Sequence, residues 1–241
     1  MKLTVVGCSP AWPNAGSPHS GYLVEGSGSL LLDCGPGVLS RLRENGNGWP
    51  EVDAIAITHW HLDHWGDLVP WVWGSMFGLG HGKEPEVWVP PGGIPRLREF
   101  GAEFGTETMF DSTFPLAEYV EGTPFTTAAG LQVTATRVPH YTMEAYAFRV
   151  TDGERSIAYS GDSGPADELA DVARDADLFL CEATLGEASE DGEPRGHLSF
   201  DEALQAFAAS GAKRLVITHR PVERPLPDSV ELAYDGLQLD V

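Results

Sequence analysis

Lysine is nearly missing from this chain: there are three among 15 basic residues, set against 36 acidic ones in 241. The formal net charge of −21 argues against long nucleic acids as partners, because their binding comes from neutralising phosphates and releasing counterions. The longest basic cluster is Arg-Leu-Arg, at 41–43 and again at 96–98. Cysteine is scarce too. Cys8, Cys34 and Cys181 are an odd number with no C-x-x-C spacing, which disfavours a disulfide framework and fits a reducing cytoplasm. No apolar run approaches the roughly 18 residues of a membrane span, so no membrane association is expected. The opening MKLTVVGCSP has too short an apolar part for a signal peptide and reads as a first strand.

What is present is ordinary for a globular protein, with 42% hydrophobic and 21% charged residues. The length fits a single domain over 1–241; a homodimer is left open. Apolar alternation and β-branched runs predict strands at 2–7, 20–25, 29–33, 54–57, 86–90, 131–138, 145–150, 156–160, 177–182 and 214–219. Helices are expected at 66–78, 95–103, 165–174 and 199–210, with a short one in GPGVLSRLREN closed by Asn45-Gly46. The last has Ser199 as N-cap, Glu202 at the capping-box position and Gly211 as stop. The Gly-, Thr- and Pro-rich stretch 101–127 yields no assignment. Hairpin-like strands first and strand–helix alternation later suggest two sheets with helices outside.

The stretch THWHLDHWGD, Thr58 to Asp67, holds three of the eight histidines and Asp63 within six positions. His59 and His61, two apart, point the same way if the chain is extended as it leaves the apolar strand AIAIT. Asp63 and His64 follow where the chain turns into a helix. Imidazole nitrogen and carboxylate oxygen suit zinc, manganese or iron, and one such loop can feed two metals. A strand's C-terminal end is where α/β proteins usually place their sites.

H-x-H-x-D-H resembles the signature of the metallo-β-lactamase-fold hydrolases and is matched in full, the likeness running from VVGCSP to VITH. That resemblance implies an α/β fold, an αββα four-layer sandwich, with further ligands at later strand ends. His140 follows VTATRVP, Asp162 follows SIAYSG and His219 follows RLVIT. By this likeness His59, His61 and His140 bind one divalent ion. Asp63, His64 and His219 bind a second, and Asp162 bridges the two. The cofactor expected is two divalent metal ions, zinc first, with manganese or iron as alternatives. Asp33, closing LLLDCG, supports a ligand without binding metal. Asp67 either orients a ligand by hydrogen bonding or is a solvated helix carboxylate.

Two metals about 3.5–4 Å apart can activate a hydroxide between them. Lactams, lactones, thioesters and phosphodiesters are all open to such attack, so the metal motif does not choose the substrate. Around His140 the chain lacks the Gly-His-Thr-Pro-Gly-His pattern of glyoxalase II-type thioesterases. RVPHYTMEAYAFRV resembles instead the ribonuclease Z and cyclic phosphodiesterase branch, as do GCSPAWPNAGSPHSGYLVE and LPDSVELAYDGLQLDV. In that branch a segment like GHLSFDEAL supplies a histidine near the substrate phosphate, here His197, suited to general-acid work. The helix N-terminus after it favours an anion. The RNA-processing members carry a long arm, and the 34 residues between Asp162 and His197 show none.

The expectation is therefore a dinuclear phosphodiesterase of a small-molecule phosphodiester, a cyclic nucleotide or cyclic sugar phosphate. Metal-bound hydroxide attacks phosphorus, Asp63 orients it as well as binding metal, and His197 assists the leaving oxygen. The alternatives are hydrolysis of a lactone, lactam or thioester, transfer-RNA 3′ processing (disfavoured by acidity and the missing arm), and a non-enzymatic metal-binding protein. THRP departs from the branch's usual apolar residue after Thr-His. Arg220 there either reaches a substrate phosphate bidentately or, the favoured reading, forms a surface salt bridge. The tryptophans at 60, 65, 71 and 73 read as core and helix packing, with one or two available to wall the pocket.

Overall fold

The computed structural model describes residues 1–44, 49–78 and 84–241. The chain begins β1 (Lys2–Gly7), β2 (Gly21–Glu25), β3 (Ser29–Leu32), α1 (Val38–Glu44), β4 (Ala54–Ala56), α2 (Leu62–Trp65), α3 (Leu68–Phe77), β5 (Glu86–Val89) and α4 (Gly93–Glu103). It continues β6 (Leu116–Glu118), β7 (Phe125–Thr126), β8 (Gln132–His140), β9 (Met143–Thr151), β10 (Ser156–Tyr159), α5 (Asp167–Val172), β11 (Leu178–Glu182), α6 (Phe200–Ser210), β12 (Leu215–Thr218) and β13 (Gln238–Asp240). Among these residues one sheet has seven strands, ordered β13-β1-β2-β3-β4-β5-β6. The other has six, ordered β12-β11-β10-β9-β8-β7. No described helix is long and apolar enough to cross a membrane.

Alternation within the strands builds four layers. Leu30 and Leu32 of β3 face one apolar cluster with Ile157 and Tyr159 of β10 and Leu178 and Leu180 of β11. The residues between them face outward. Leu31 and Ile55 meet Leu39, Leu68, Trp71 and Leu97 from α1, α3 and α4. Ala158, Phe179 and Cys181 meet Leu169, Val172 and Ala203 from α5 and α6. A period of two gives each strand two apolar faces, which is why these runs are nearly unbroken in hydrophobicity. The order is helix, sheet, sheet, helix.

Strand direction positions the site. β3, β4 and β5 run parallel, as do β10, β11 and β12. β8 and β10 each pair antiparallel with β9 and so share a direction. The C-terminal ends of β3 and β4, and those of β8, β10, β11 and β12, thus each gather on one edge of their sheet.

The structure departs from expectation in three places. The helix expected over 66–78 is α3, Leu68–Phe77, and a bend at Gly66–Asp67 separates it from the short α2 that carries Asp63 and His64. The unassigned 101–127 carries the short strands β6 and β7 and buries Phe110, Phe114 and Tyr119. β13, not foreseen, pairs antiparallel with β1. The Asn45-Gly46 stop lies outside the described residues. Trp60, Trp65 and Trp71 are core, whereas Trp73 is exposed beside Phe77, their rings 5.8 Å apart.

The capping box of α6 forms as expected: Ser199 meets the N3 backbone, and its own N–H donates to Glu202 Oε2 at 2.9 Å. Arg195 binds the same carboxylate through both terminal nitrogens, at 2.5 and 2.9 Å. The α6 N-terminus is therefore filled by the protein's own groups, which corrects the expectation that it stands open to a substrate anion. Arg195, ahead of opposing burial, and the Ser199 hydrogen bonds hold Glu202 down to about 2. Its stabilising effect is present above its ordinary value of 4.5 and lost as pH falls towards 2. Urea unfolding should show Ser199→Ala costing about 1 kcal/mol. Glu202→Gln should destabilise at pH 7, with a deficit that shrinks as the pH falls through that window.

Candidate metal centre

Each of the gathered strand ends delivers one polar residue. His59 follows β4, Asp63 and His64 sit in α2, His140 ends β8, Asp162 follows β10 and His219 follows β12. All six are buried, and His61 is half-buried. Ligand atoms of His59, His61, His140 and Asp162 lie within 4.8 Å of one another, and so do those of Asp63, His64, Asp162 and His219. The two sets share Asp162, and its two oxygens divide between them. Oδ2 lies 3.8 Å from His59 Nε2 and 4.0 Å from His140 Nε2. Oδ1 lies 3.3 Å from His64 Nε2 and 3.5 Å from His219 Nε2. Asp63 Oδ2 completes the second set at 3.5 and 3.4 Å from the same two nitrogens.

Four of the five imidazoles, His59, His64, His140 and His219, are aimed by the partner of their other nitrogen, an arrangement that fixes ring orientation at metal sites. Thr58 Oγ1 meets His59 Nδ1 at 3.0 Å, Asp33 Oδ2 meets His64 Nδ1 at 2.7 Å, and Thr184 Oγ1 meets His219 Nδ1 at 2.9 Å. His140 Nδ1 donates to the Gly196 carbonyl at 2.6 Å, leaving Nε2 facing His61 Nδ1 at 2.8 Å. Asp33 and His219 hold the left-handed backbone conformation, with φ of 59° and 48°, which turns the chain sharply as each strand ends. L residues adopt it at a cost of order 1 kcal/mol or more.

The residues fit divalent ions. Among the described residues His59 Nε2, His64 Nε2 and Asp162 Oδ1 are buried without a hydrogen-bond partner, and an orphaned buried polar atom costs about 1–3 kcal/mol. Three in one cluster suit a cation between them. Burial pushes His59, His61 and His140 below their ordinary value, so their lone pairs are free at neutral pH, as coordination requires. At His64 burial opposes charge, but Asp162, Asp33 and Asp63 outweigh it and push the imidazole well up. A field that favours a proton there favours a metal ion. Burial likewise opposes ionisation of Asp63 and Asp162, yet the His64 and His219 nitrogens around both carboxyls hold them well below the usual range.

Asp33 touches His64 and stands outside both ligand sets. Asp67 corrects both readings offered for it. It is buried, and its Oδ2 accepts from the Leu39 N–H at 2.7 Å, tying down the start of α1; among the described residues it orients no histidine. The favoured reading of Arg220 is also corrected. Among the described residues it has no carboxylate partner, and its Nη1 donates to the carbonyls of Pro221 and Arg224 at 3.1 and 3.0 Å. The arginine staples its own turn.

His197 lies beside the centre, its ring stacked on His219 at 5.8 Å and edge-on to His140 at 5.0 Å. Its Nδ1 is 2.9 Å from Glu182 Oε1 and 4.0 Å from Asp162 Oδ2. Burial opposes its charge, but Glu182, with Asp162 and Asp191, prevails and lifts the imidazole to about 9. Glu182 was not anticipated, nor were Thr58, Thr184 and Tyr159. The available signal for Glu182 was a carboxylate ending the apolar run LFLCE, just as Asp33 ends LLLD.

A family model described as a beta-lactamase superfamily domain matches residues 29–220. The chain is 32% identical over 229 residues to the probable metallo-hydrolase YhfI of Bacillus subtilis, covering 92% of this chain and 87% of that protein. The YhfI crystal structure superposes with a TM-score of 0.82 at 27% identity, covering 99% of both chains. A ribonuclease Z of Myxococcus xanthus is 25% identical over 311 residues, covering 100% of this chain and 98% of that one. A diphosphatase from the PhnP family shares the fold, with a TM-score of 0.71 at 22% identity, covering 100% and 97%. The two sheets and their flanking helices are the metallo-β-lactamase fold.

The shared carboxylate yields a stoichiometric expectation. Asp162→Ala should purify with neither ion, while His61→Ala should keep about one per chain, read by elemental analysis after gel filtration. Two ions retained by Asp162→Ala would exclude bridging.

Proposed function

The chain belongs to the beta-lactamase superfamily and is a metallo-hydrolase of it, and from that premise we propose a phosphodiesterase acting on a small phosphodiester, a cyclic nucleotide or cyclic sugar phosphate. The observation that carries this reading is the His197–Glu182 pair beside the metal centre. Hydrolysis of an alkyl phosphodiester must protonate a poor leaving oxygen, and an imidazolium held by a buried carboxylate supplies that proton. With Nδ1 held by Glu182, Nε2 is the nitrogen left to donate. Zinc is the ion the nitrogen-rich donor set best fits, with manganese or iron as alternatives.

His59, His61, His140 and Asp162 would hold one ion, and Asp63, His64, His219 and Asp162 the other. Bound there, divalent ions supply Lewis acidity and an activated water. Asp63, whose Oδ2 faces His64 and His219, would orient the attacking water. Glu182 does more than raise the proton affinity of His197. Its Oε1 also accepts from Ser163 N–H at 2.8 Å and its Oε2 from Thr184 N–H at 3.1 Å. That makes the carboxylate a rigid anchor between the loops after β10 and β11.

Size and charge favour a small substrate. The 34 residues between Asp162 and His197 hold α5, β11 and one short 3-10 turn, no projecting arm. With 36 acidic residues the surface would repel a polyanion, whereas a single phosphodiester charge would meet the cations that the two ligand sets would hold.

The metal-loaded protein should turn over bis-p-nitrophenyl phosphate and 2′,3′-cyclic AMP, and leave lactones, lactams and thioesters intact. Turnover of those last three alone would overturn the proposal. His197→Ala should keep its metal content and lose roughly 10²–10⁴-fold in the rate on 2′,3′-cyclic AMP. An undiminished rate would remove His197 from the mechanism.

A further inference from the structure

Residue Tyr141, directly after His140, also adopts the left-handed conformation, with φ of 50°. That turn aims its ring at the loop carrying His197. The ring centres of Tyr141 and His197 are 5.6 Å apart, nearly perpendicular. One face lies so close on Gly196 that a Cβ there would come within 2.3–2.5 Å of three ring carbons. Only glycine at 196 admits the contact. The Tyr141 N–H donates to the Arg195 carbonyl at 3.1 Å, and next door His140 Nδ1 donates to the Gly196 carbonyl.

The phenol end completes the contact. Tyr141 is partly exposed, and its hydroxyl has the Asp191 carboxylate as its side-chain partner. The Asp191 Oδ2 in turn accepts the Gly196 N–H at 2.8 Å and the His197 N–H at 3.1 Å. One carboxylate therefore meets the tyrosine and grips the backbone N–H groups on both sides of the Gly196 α-carbon. The Glu182 contact fixes the His197 ring, while this grip, with the bond from Arg195 Nη2 to the His197 carbonyl at 3.1 Å, fixes where its α-carbon sits.

We propose that Tyr141, acting through Asp191 and Gly196, is a positioning residue for His197 that sets the aim of its proton donation to the leaving oxygen. This rests on the reading of His197 as general acid. In that step water's oxygen bonds to phosphorus and the P–O bond to the leaving group breaks. Its electron pair goes to the leaving oxygen, which takes the proton from His197 Nε2, and the proton shed by the water restores the imidazolium. A mis-aimed donor harms only leaving groups that need the proton. A ribose alkoxide needs it; p-nitrophenolate does not.

The experiment compares kcat and KM of wild-type, Tyr141→Phe and His197→Ala, all metal-loaded, on 2′,3′-cyclic AMP and bis-p-nitrophenyl phosphate. Tyr141→Phe keeps the ring on Gly196 and removes only the hydroxyl. It should lower kcat on 2′,3′-cyclic AMP on the order of tenfold with KM little changed. Its loss on bis-p-nitrophenyl phosphate should be under about twofold, and its metal content and melting temperature should match wild type. His197→Ala should show the same selectivity, more strongly. Equal loss on both substrates in His197→Ala would overturn the acid assignment and this proposal with it. Selectivity in His197→Ala without it in Tyr141→Phe would overturn the positioning role alone. Metal loss or a lowered melting temperature in Tyr141→Phe would make its part merely structural.

Discussion

The candidate centre depends on one buried carboxylate, Asp33, at the C-terminal end of β3. Its Oδ1 accepts the Thr58 N–H at 2.8 Å, and the Thr58 hydroxyl lies 3.0 and 2.9 Å from its two oxygens. Its Oδ2 also meets His64 Nδ1 at 2.7 Å and the Tyr159 hydroxyl at 2.9 Å. Tyr159 belongs to the second sheet, so this side chain ties together the sheets that carry the ligands. Burying a charge without partners would be far more costly than any single contact repays. With four donor groups around it, the carboxylate is satisfied, and each donor is fixed in return. Two of those donors are a ligand-set histidine and the threonine that aims another.

The same logic, repeated, assembles the rest. Asp33, Glu182 and Asp162 are fully or almost fully buried acids at strand ends, and the first two are matched by imidazole, hydroxyl or backbone donors. Glu182 has donors from Ser163, Thr184 and His197. Asp162 differs: among the described residues its Oδ1 has no hydrogen-bond partner. The supporting acids are saturated, and the shared acid between the two histidine sets is left wanting. That contrast separates scaffold from ligand more sharply than burial does, since all three are equally hidden.

Much of this was legible in the sequence because strand ends are legible. Apolar runs such as LLLD, AIAITH, SIAYSGD and RLVITH announce both the strand and the polar residue that terminates it. The α6 capping box was equally readable, being a local pattern. What was not legible depends on which way a residue turns after its element ends. Asp67 sits three residues from His64, yet its carboxylate turns to α1, because the break between α2 and α3 rotates it off the ligand face. Arg220 follows His219 in sequence but folds back on Pro221 and Arg224 through a left-handed bend that spacing does not reveal. β13 escaped notice because a three-residue edge strand, Gln238–Asp240, has too few positions to show a period.

A division of labour follows from where the two kinds of residue lie. The ligand sets come mostly from the ends of strands whose registers are locked by the two-sided burial of Leu30–Leu32 and Leu178–Leu180. Residues that would distinguish a phosphodiester from an ester, His197 and its neighbours, come from the connection between β11 and α6. A connection is free to vary in length and composition without disturbing sheet register, so the same centre can serve different leaving groups by exchanging that segment. Here the connection is far from loose. Arg195 is bound to Glu202, Gly196 to His140 and Tyr141, His197 to Glu182 and Asp191. The free energy holding the loop is drawn from contacts with both the metal centre's own β8 end and the cap of α6. Chemistry at the metal site and selectivity at the loop therefore share a mechanical link, running through the single peptide between Gly196 and His197.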